Sequence, residues 1–280
     1  VKINHGIGSI AFLFATPLVT GLSVGIAPSS AAIIAGSAAE VAIYNFSDRP
    51  TETGTSTNTY AQTIANKGAV ISAANANAFF LSNCQQLLAA NLSESTVQGD
   101  GSKYSGLAES QAAIIGDFSL DTKTTFSFTF QTVLHLFTSV DHPQSERASA
   151  RGNISFLLID TVSNILLDSF QLGGGLYSFK HPDLSFSYSN SFKPTTINFD
   201  FLAEGNTKES VVYTSGEYSR TFDSATNLRL VEVNNNIAEA EAEPEAVPEA
   251  STILGSAIFL GFLVKGKKLQ NKLSEIKSKV

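Results

Sequence analysis

The sequence predicts an all-β chain: an antiparallel β-sandwich of jelly-roll-like layout with one short helix, flanked by an N-terminal signal segment and a short C-terminal transmembrane helix. Three observations carry this. From Ala112 onward, short runs that alternate apolar and polar residues follow one another, separated by polar or glycine-rich turns. No helical pattern intervenes between them, which argues for antiparallel neighbours rather than a βαβ sheet. The composition, 43% hydrophobic with 20 Phe in 280 residues, supplies the core that such layers need.

Lys2 precedes a stretch from Ile7 to Ile26 without a charged residue, and the next charge is Glu40. A positive start, an apolar run and small residues beyond it are the anatomy of an export signal. Two small-x-small cleavage sites are visible, after Ala32 and after Ala39, and Ala39 is favoured because a polar chain then begins at Glu40. Ala42 to Phe46 reads as a short strand, and Asp48 to Thr59 as a polar loop. Ala73 to Ala90 is the helix candidate, because Phe80, Cys84, Leu87 and Leu88 fall on one stripe of a 3.6-residue repeat. Ser95 to Ser105, with Gly99, Asp100 and Gly101, reads as loop.

Thr125 to Gln131 places Phe126, Phe128 and Phe130 on one face and Ser127 and Thr129 on the other, as a half-buried strand requires. Further strands are expected over Ile154–Asp160, Ile165–Leu172, Leu184–Ser189, Ile197–Leu202, Val211–Phe222 and Leu228–Val233. Ser163-Asn164 reads as a tight hairpin turn. Asn234 to Glu249, three Asn followed by Glu residues interleaved with Ala, Pro244 and Pro248, reads as an extended acidic linker. The expected division is therefore signal 1–39, exported body 40–233, linker 234–249, and sorting helix with basic tail 250–280.

Charge is partitioned along the chain. Glu40 to Val264 holds 24 acidic and 11 basic residues, whereas the tail from Lys265 has six Lys against Glu275. An acidic body argues against nucleic-acid binding, since it would not neutralise phosphates. The basic tail follows the positive-inside rule, which puts it in the cytoplasm and the body outside.

Val247-Pro248-Glu249-Ala250-Ser251-Thr252, the apolar run Ile253 to Val264 and the basic group Lys265, Lys267 and Lys268 together resemble the PEP-CTERM sorting signal of exosortase-dependent exported proteins. Ala250 stands where that family has a second proline. The runs Gly106–Ser110, Phe118–Phe130, Ile154–Leu158 and Leu230–Val233 are similar in layout to a cyanobacterial group of such proteins. The resemblance implies an exosortase-type enzyme as processing partner and contact with the membrane through the C-terminal helix. It also implies a cell-surface or extracellular destination, with extracellular polysaccharide as a possible neighbour. A run of 12 residues rises only about 18 Å, short of a ~30 Å hydrocarbon core, which favours temporary retention followed by cleavage near Pro248.

Residues arranged for chemistry are few. Cys84 is the one cysteine, so the chain forms no internal disulfide. His135 lies in an apolar run, and His142 and His181 each precede proline, a pattern of turns rather than of zinc ligands. Asp100, Asp117 and Asp121 are candidate oxygen ligands for calcium, without a recognisable loop motif. Neither a nucleophile elbow nor a phosphate-binding glycine loop occurs. Tyr177, Tyr188, Tyr213 and Tyr218 are the aromatic residues on which a sugar ring would stack. The expectation is a non-enzymatic structural or adhesive protein without cofactor or metal, the alternatives being a carbohydrate-binding module and, behind it, a hydrolase.

Overall fold

The structure is a computed structural model and describes residues 32–82 and 87–242. The chain divides into two units, Val1–Glu243 and Pro244–Val280, and the second lies wholly outside the described residues. Strands take up 84% of the described residues and none of these is helical, so the expected helix finds no place. The strands are β1 Ala32–Tyr44, β2 Glu52–Ser82, β3 Leu87–Leu120, β4 Thr124–Ser139, β5 Glu146–Asp160, β6 Ile165–Tyr177, β7 Asp183–Tyr188, β8 Phe192–Glu204, β9 Thr207–Phe222 and β10 Thr226–Ala242.

All pairings are antiparallel. The sheet runs β7-β6-β5-β10-β3-β1-β4-β9-β8, with β2 also paired to β3. Its organising piece is the long ribbon of β2 and β3. The first arm of β3, Leu88–Asp100, pairs with β1, and the second, Tyr104–Leu120, pairs with β10. Meanwhile β2 accompanies β3 along both arms. Between the arms the ribbon folds over at a corner built from Gly68 (φ 145°), Gly101 (φ 92°) and Lys103 (φ 58°). A Cβ on Gly68 would lie 2.3 Å from the Asp100 carbonyl oxygen, so only glycine fits there. The corner turns one sheet into two facing wings. One wing carries β1, β4, β9 and β8, the other β10, β5, β6 and β7. A short turn through Ser191 joins β7 to β8, so the sheet nearly closes into a barrel.

The strands expected from β4 onward are all present, each longer than its sequence signal except β7, which is shifted by one residue. β4 buries Phe126, Phe128, Phe130, Leu134 and Leu136 on one face, as the alternation dictates. The Ser163-Asn164 hairpin connects β5 to β6, with Asn164 at φ 57°.

Four expectations are corrected. Ala73–Ser82 belongs to β2 and Leu87–Ala90 to β3, with Cys84 outside the described residues. A period of two also runs through that segment, Val70, Ser72, Ala74, Ala76, Ala78 and Phe80 facing the other wing, and pairing to β3 decides for it. The presumed loops Asp48–Thr59 and Ser95–Ser105 are largely strand, because cross-strand partners satisfy their polar residues. Asn234–Ala242, expected in the linker, forms the second half of β10, with Asn234, Asn236, Ala238, Ala240 and Ala242 buried and Glu239 and Glu241 on the outer face. Ala32–Ala39, expected in the signal, forms the first half of β1 and buries Ile33, Ala35, Ala38 and Ala39. The folded body thus includes both boundary segments.

Candidate functional site

Strands β1, β3 and β10 divide the interior into three zones. On the inner face of β10 the order is Leu228, Leu230, then Glu232, Asn234, Asn236, then Ala238, Ala240, Ala242, all buried. The first arm of β3 repeats it with Ala89, then Asn91, Ser93, Ser95, then Val97. β1 does so in reverse, with Val41 and Ala39, then Ser37, then Ala35 and Ile33. At one end lies a phenylalanine-rich core, at the other a smaller alanine-rich one. A polar belt separates them.

In the aromatic zone the rings interlock across the wings. Phe130 on β4 meets Phe170 on β6 edge-on at 5.1 Å between centroids, and Phe128 on β4 stacks on Phe156 on β5 at 6.3 Å. Such pairs add to the burial of large apolar surface. The buried phenylalanines of this zone fill the space between the wings.

The belt is a hydrogen-bonded network. Asn236 Nδ2 donates to the Ser93 carbonyl at 3.0 Å, and the Ser37 hydroxyl donates to Asn236 Oδ1 at 2.6 Å. Asn234 Nδ2 donates to Asn91 Oδ1 at 2.6 Å and to the Ala39 carbonyl at 3.2 Å. Asn91 Nδ2 in turn donates to Glu232 Oε2. Glu232 is fully buried, and that burial pushes its carboxyl well above the usual carboxylate range, Asn91 opposing only in part. Burial therefore favours its neutral form over the carboxylate. Glu232 Oε1 and Asn234 Oδ1 have no partner among the described residues.

A second polar contact crosses the wings between β6 and β9. Asp168 accepts hydrogen bonds from Ser189 Oγ at 2.6 Å, Arg220 Nη1 at 2.8 Å and Tyr218 OH at 3.0 Å. Burial pushes the Asp168 carboxyl up, but its donors together outweigh that and hold it below its ordinary value. At the other end of β9, Lys208 Nζ caps the carbonyls of Tyr177 at 2.7 Å and Lys180 at 3.1 Å, tying that strand to the end of β6 and the loop after it.

The residues singled out from the sequence do not converge. His135 on β4 hydrogen-bonds Glu209 at 2.8 Å on the outer face. His142 lies in the turn between β4 and β5, where its backbone N–H donates to Glu146, and His181 lies in the loop between β6 and β7. Asp117 is held by both Arg229 Nε and Nη2, at 2.7 and 2.6 Å, and Asp121 lies in the turn before β4. Asp100 is at the ribbon corner. Among the described residues no group of three or more His, Cys, Asp or Glu side chains comes together to hold a metal. Tyr218 is buried in the core, Tyr188 is exposed on β7, and Tyr213 lies on β9 in the opposite wing, while Lys180 covers the Tyr177 ring at 3.6 Å. Val247, Pro248, Glu249, Lys265, Lys267 and Lys268 lie outside the described residues.

A depression on the outer face is lined by Glu40, Asn77, Phe79, Ala90, Asn91 and Leu92. Its volume of about 30 Å³ is far below the ~300 Å³ at which small-molecule sites begin. Burial raises the Glu40 carboxyl to about 7. No helix among the described residues is long and apolar enough to cross a membrane.

Sequence reasoning missed Glu232, Asn234 and Asn236 as interior residues. Their signal was parity, since they share one strand face with Leu228 and Leu230. Comparison with known proteins adds no assignment: no protein-family model matches the chain, and no curated protein matches it.

Proposed function

We propose that this chain is an exported cell-envelope or extracellular-matrix protein with a structural or adhesive role, delivered by a PEP-CTERM-type signal and performing no catalysis. Its body is a flattened, jelly-roll-like β-sandwich. The observation that carries the structural role is the filled interior: the core side chains of both wings interlock, and the buried Asp168 and Glu232 each bond a side chain of the opposite wing. The acidic outer surface suits an exported protein. The proline-acid motif, apolar run and lysine cluster at 247–268 support the route.

Strand β1 bears on how such export would be processed. Removing residues through Ala39 would strip Ile33, Ala35, Ala38 and Ala39 from the core, whereas cleavage after Ala32 leaves β1 nearly whole. The mature body is then 33–242 followed by a short acidic stretch, released near Pro248 by an exosortase-type enzyme. Cell fractionation with mass spectrometry of both termini tests this. A surface fraction beginning at Ile33 and lacking every peptide beyond Lys268 is expected. Recovery of the lysine-rich tail from that fraction, or an N-terminus at Glu40, refutes the processing scheme. A glycan array tests the carbohydrate-binding alternative, for which the exposed Tyr188 is the aromatic residue to replace.

A further inference from the structure

We infer that the free edge of β2 is an interface for a second copy of this chain, which continues both wings by antiparallel strand pairing. A strand edge with unpaired N–H and C=O groups attracts another strand unless it is shielded, commonly by shortness, charge, proline or a bulge. The other two edges carry such shields. β7 is six residues long and begins with Asp183. β8 has a register irregularity between Pro194 and Thr196, and carries Lys193, Asp200 and Glu204. β2 is far less shielded: it is 31 residues long, contains no proline, and its charged residues are confined to Glu52 at its start and Lys67 at the corner. Among the described residues its sole strand partner is β3. It also exposes Tyr60, Ile64, Ile71 and Leu81.

The double edge selects the occupant. Because the ribbon folds over at Gly68, the two arms of β2 end the two wings on the same side of the molecule, one above the other. Ser72 Oγ donates to the Gln62 carbonyl at 3.1 Å, which fixes how the arms overlie. A lone extended peptide would cover one arm. A second copy presents two edges at the same spacing and in the same order.

The arms are also compatible with themselves. A two-fold axis normal to the sheet keeps inner faces aligned, so it pairs residues of equal parity. Centred on Thr59, it sets Thr55 opposite Thr63 of the second copy, Gly54 opposite Ile64, and Asn58 opposite Tyr60, small or short residues against large ones and threonine against threonine. Since position 72 overlies position 62, the same axis passes near Asn75 of the other arm. There it sets Ile71 opposite Phe79 and Ala74 opposite Ala76. Nowhere in either arm does a like charge face a like charge.

The test uses the full chain with Cys84 replaced by Ser, Thr59→Cys as reporter and a short bis-maleimide cross-linker. A covalent dimer through position 59 is expected, while Ser219→Cys, on β9, gives none above the random level. Adding Asn58→Lys and Tyr60→Lys, both at exposed positions, places lysines opposite one another across the axis and lowers the cross-link yield by about tenfold. Circular dichroism shows whether the lysine variant stays folded. Should it unfold, Ile71→Lys on the second arm replaces it, with the same expected fall. Absence of dimer through position 59, equal dimer through position 219, or a yield that folded lysine variants leave unchanged would each overturn the interface. These outcomes are independent of the export route, which the terminal masses test.

Discussion

Replacing Asp168 with Asn tests whether one buried carboxylate latches the wings where β6 faces β9. The wild-type side chain is 5% exposed and accepts from Ser189, Arg220 and Tyr218, at 2.6, 2.8 and 3.0 Å. An Asn keeps one acceptor, turns an amide N–H₂ toward the donors and leaves Arg220 without its counter-charge. Breaking a buried pair by removing one partner costs about 3–5 kcal/mol, and the 35% exposure of the Arg220 side chain places this case near the lower end, at about 3 kcal/mol. For a body of this size, each kcal/mol lowers Tm by about 2–4 °C, so the expected drop is roughly 6–12 °C. The sign with pH follows from the depressed carboxyl. Its contribution is present above the unfolded value of 3.8 and is lost as the pH falls through the lower folded value. The gap between wild type and variant should therefore be full at neutral pH and close in acid. Urea unfolding followed by far-UV circular dichroism and by tyrosine fluorescence, which no Trp obscures, measures it. A loss under about 1 kcal/mol at neutral pH, or a gap that stays constant into acid, refutes the latch.

Three further outcomes are expected. Glu40, raised to about 7 by burial, binds its proton more tightly when folded, so its ionisation erodes stability as the pH climbs from 4.5 through 7. Glu40→Gln should match wild type at pH 4 and exceed it at pH 8 in thermal melts; an equal difference at both refutes the assignment. Glu232→Gln keeps an acceptor for Asn91 and should stay within about 1 kcal/mol of wild type, whereas Glu232→Leu removes that acceptor and should cost about 2 kcal/mol. Equal denaturation midpoints for the two variants would argue that the belt is energetically idle. Gly152→Ala puts a methyl 2.3 Å from Leu134 Cδ1 and 2.8 Å from Asn236 Oδ1, and should destabilise by about 1–3 kcal/mol by the same urea assay.

What the sequence disclosed depended on side-chain contrast. β4 was legible because Phe alternates with Ser and Thr, and the strands from β5 to β9 carry enough Ile, Leu, Val and aromatic residues to mark a face. β2 was not, because Thr53, Thr55, Thr57 and Thr59 alternate with residues almost as polar, so its period of two never became a hydrophobic signal. The first arm of β3 hid for a related reason: Asn91, Ser93 and Ser95 point inward and look like surface. Phe80, Leu87 and Leu88 fit a helical stripe equally well, and only the long-range pairing of β2 to β3 separates the two readings. Tertiary context outweighed local propensity there. The scatter of His135, His142 and His181, by contrast, followed from their places in one strand and two separate turns.

The polar belt bears on why β10, β3 and β1 hold one register. Ala238, Ala240 and Ala242 present nearly identical side chains, so a two-residue slip within the alanine zone costs little packing. The same slip in the belt would carry Asn234 away from Asn91 and Ala39, and bring Asn236 into its place away from Ser37 and Ser93. Each amide left unpaired in the interior costs about 1–3 kcal/mol, more than the alanine contacts would distinguish. On this account the belt specifies alignment, and the aromatic zone supplies most of the burial. The division predicts opposite phenotypes: substitutions among Phe126, Phe128 and Phe156 should lower stability while leaving one native state, whereas Asn234→Ala combined with Asn236→Ala should broaden amide NMR signals along β10 into more than one set. A single sharp set from the double variant would move the burden of register back to the corner glycines and the turns.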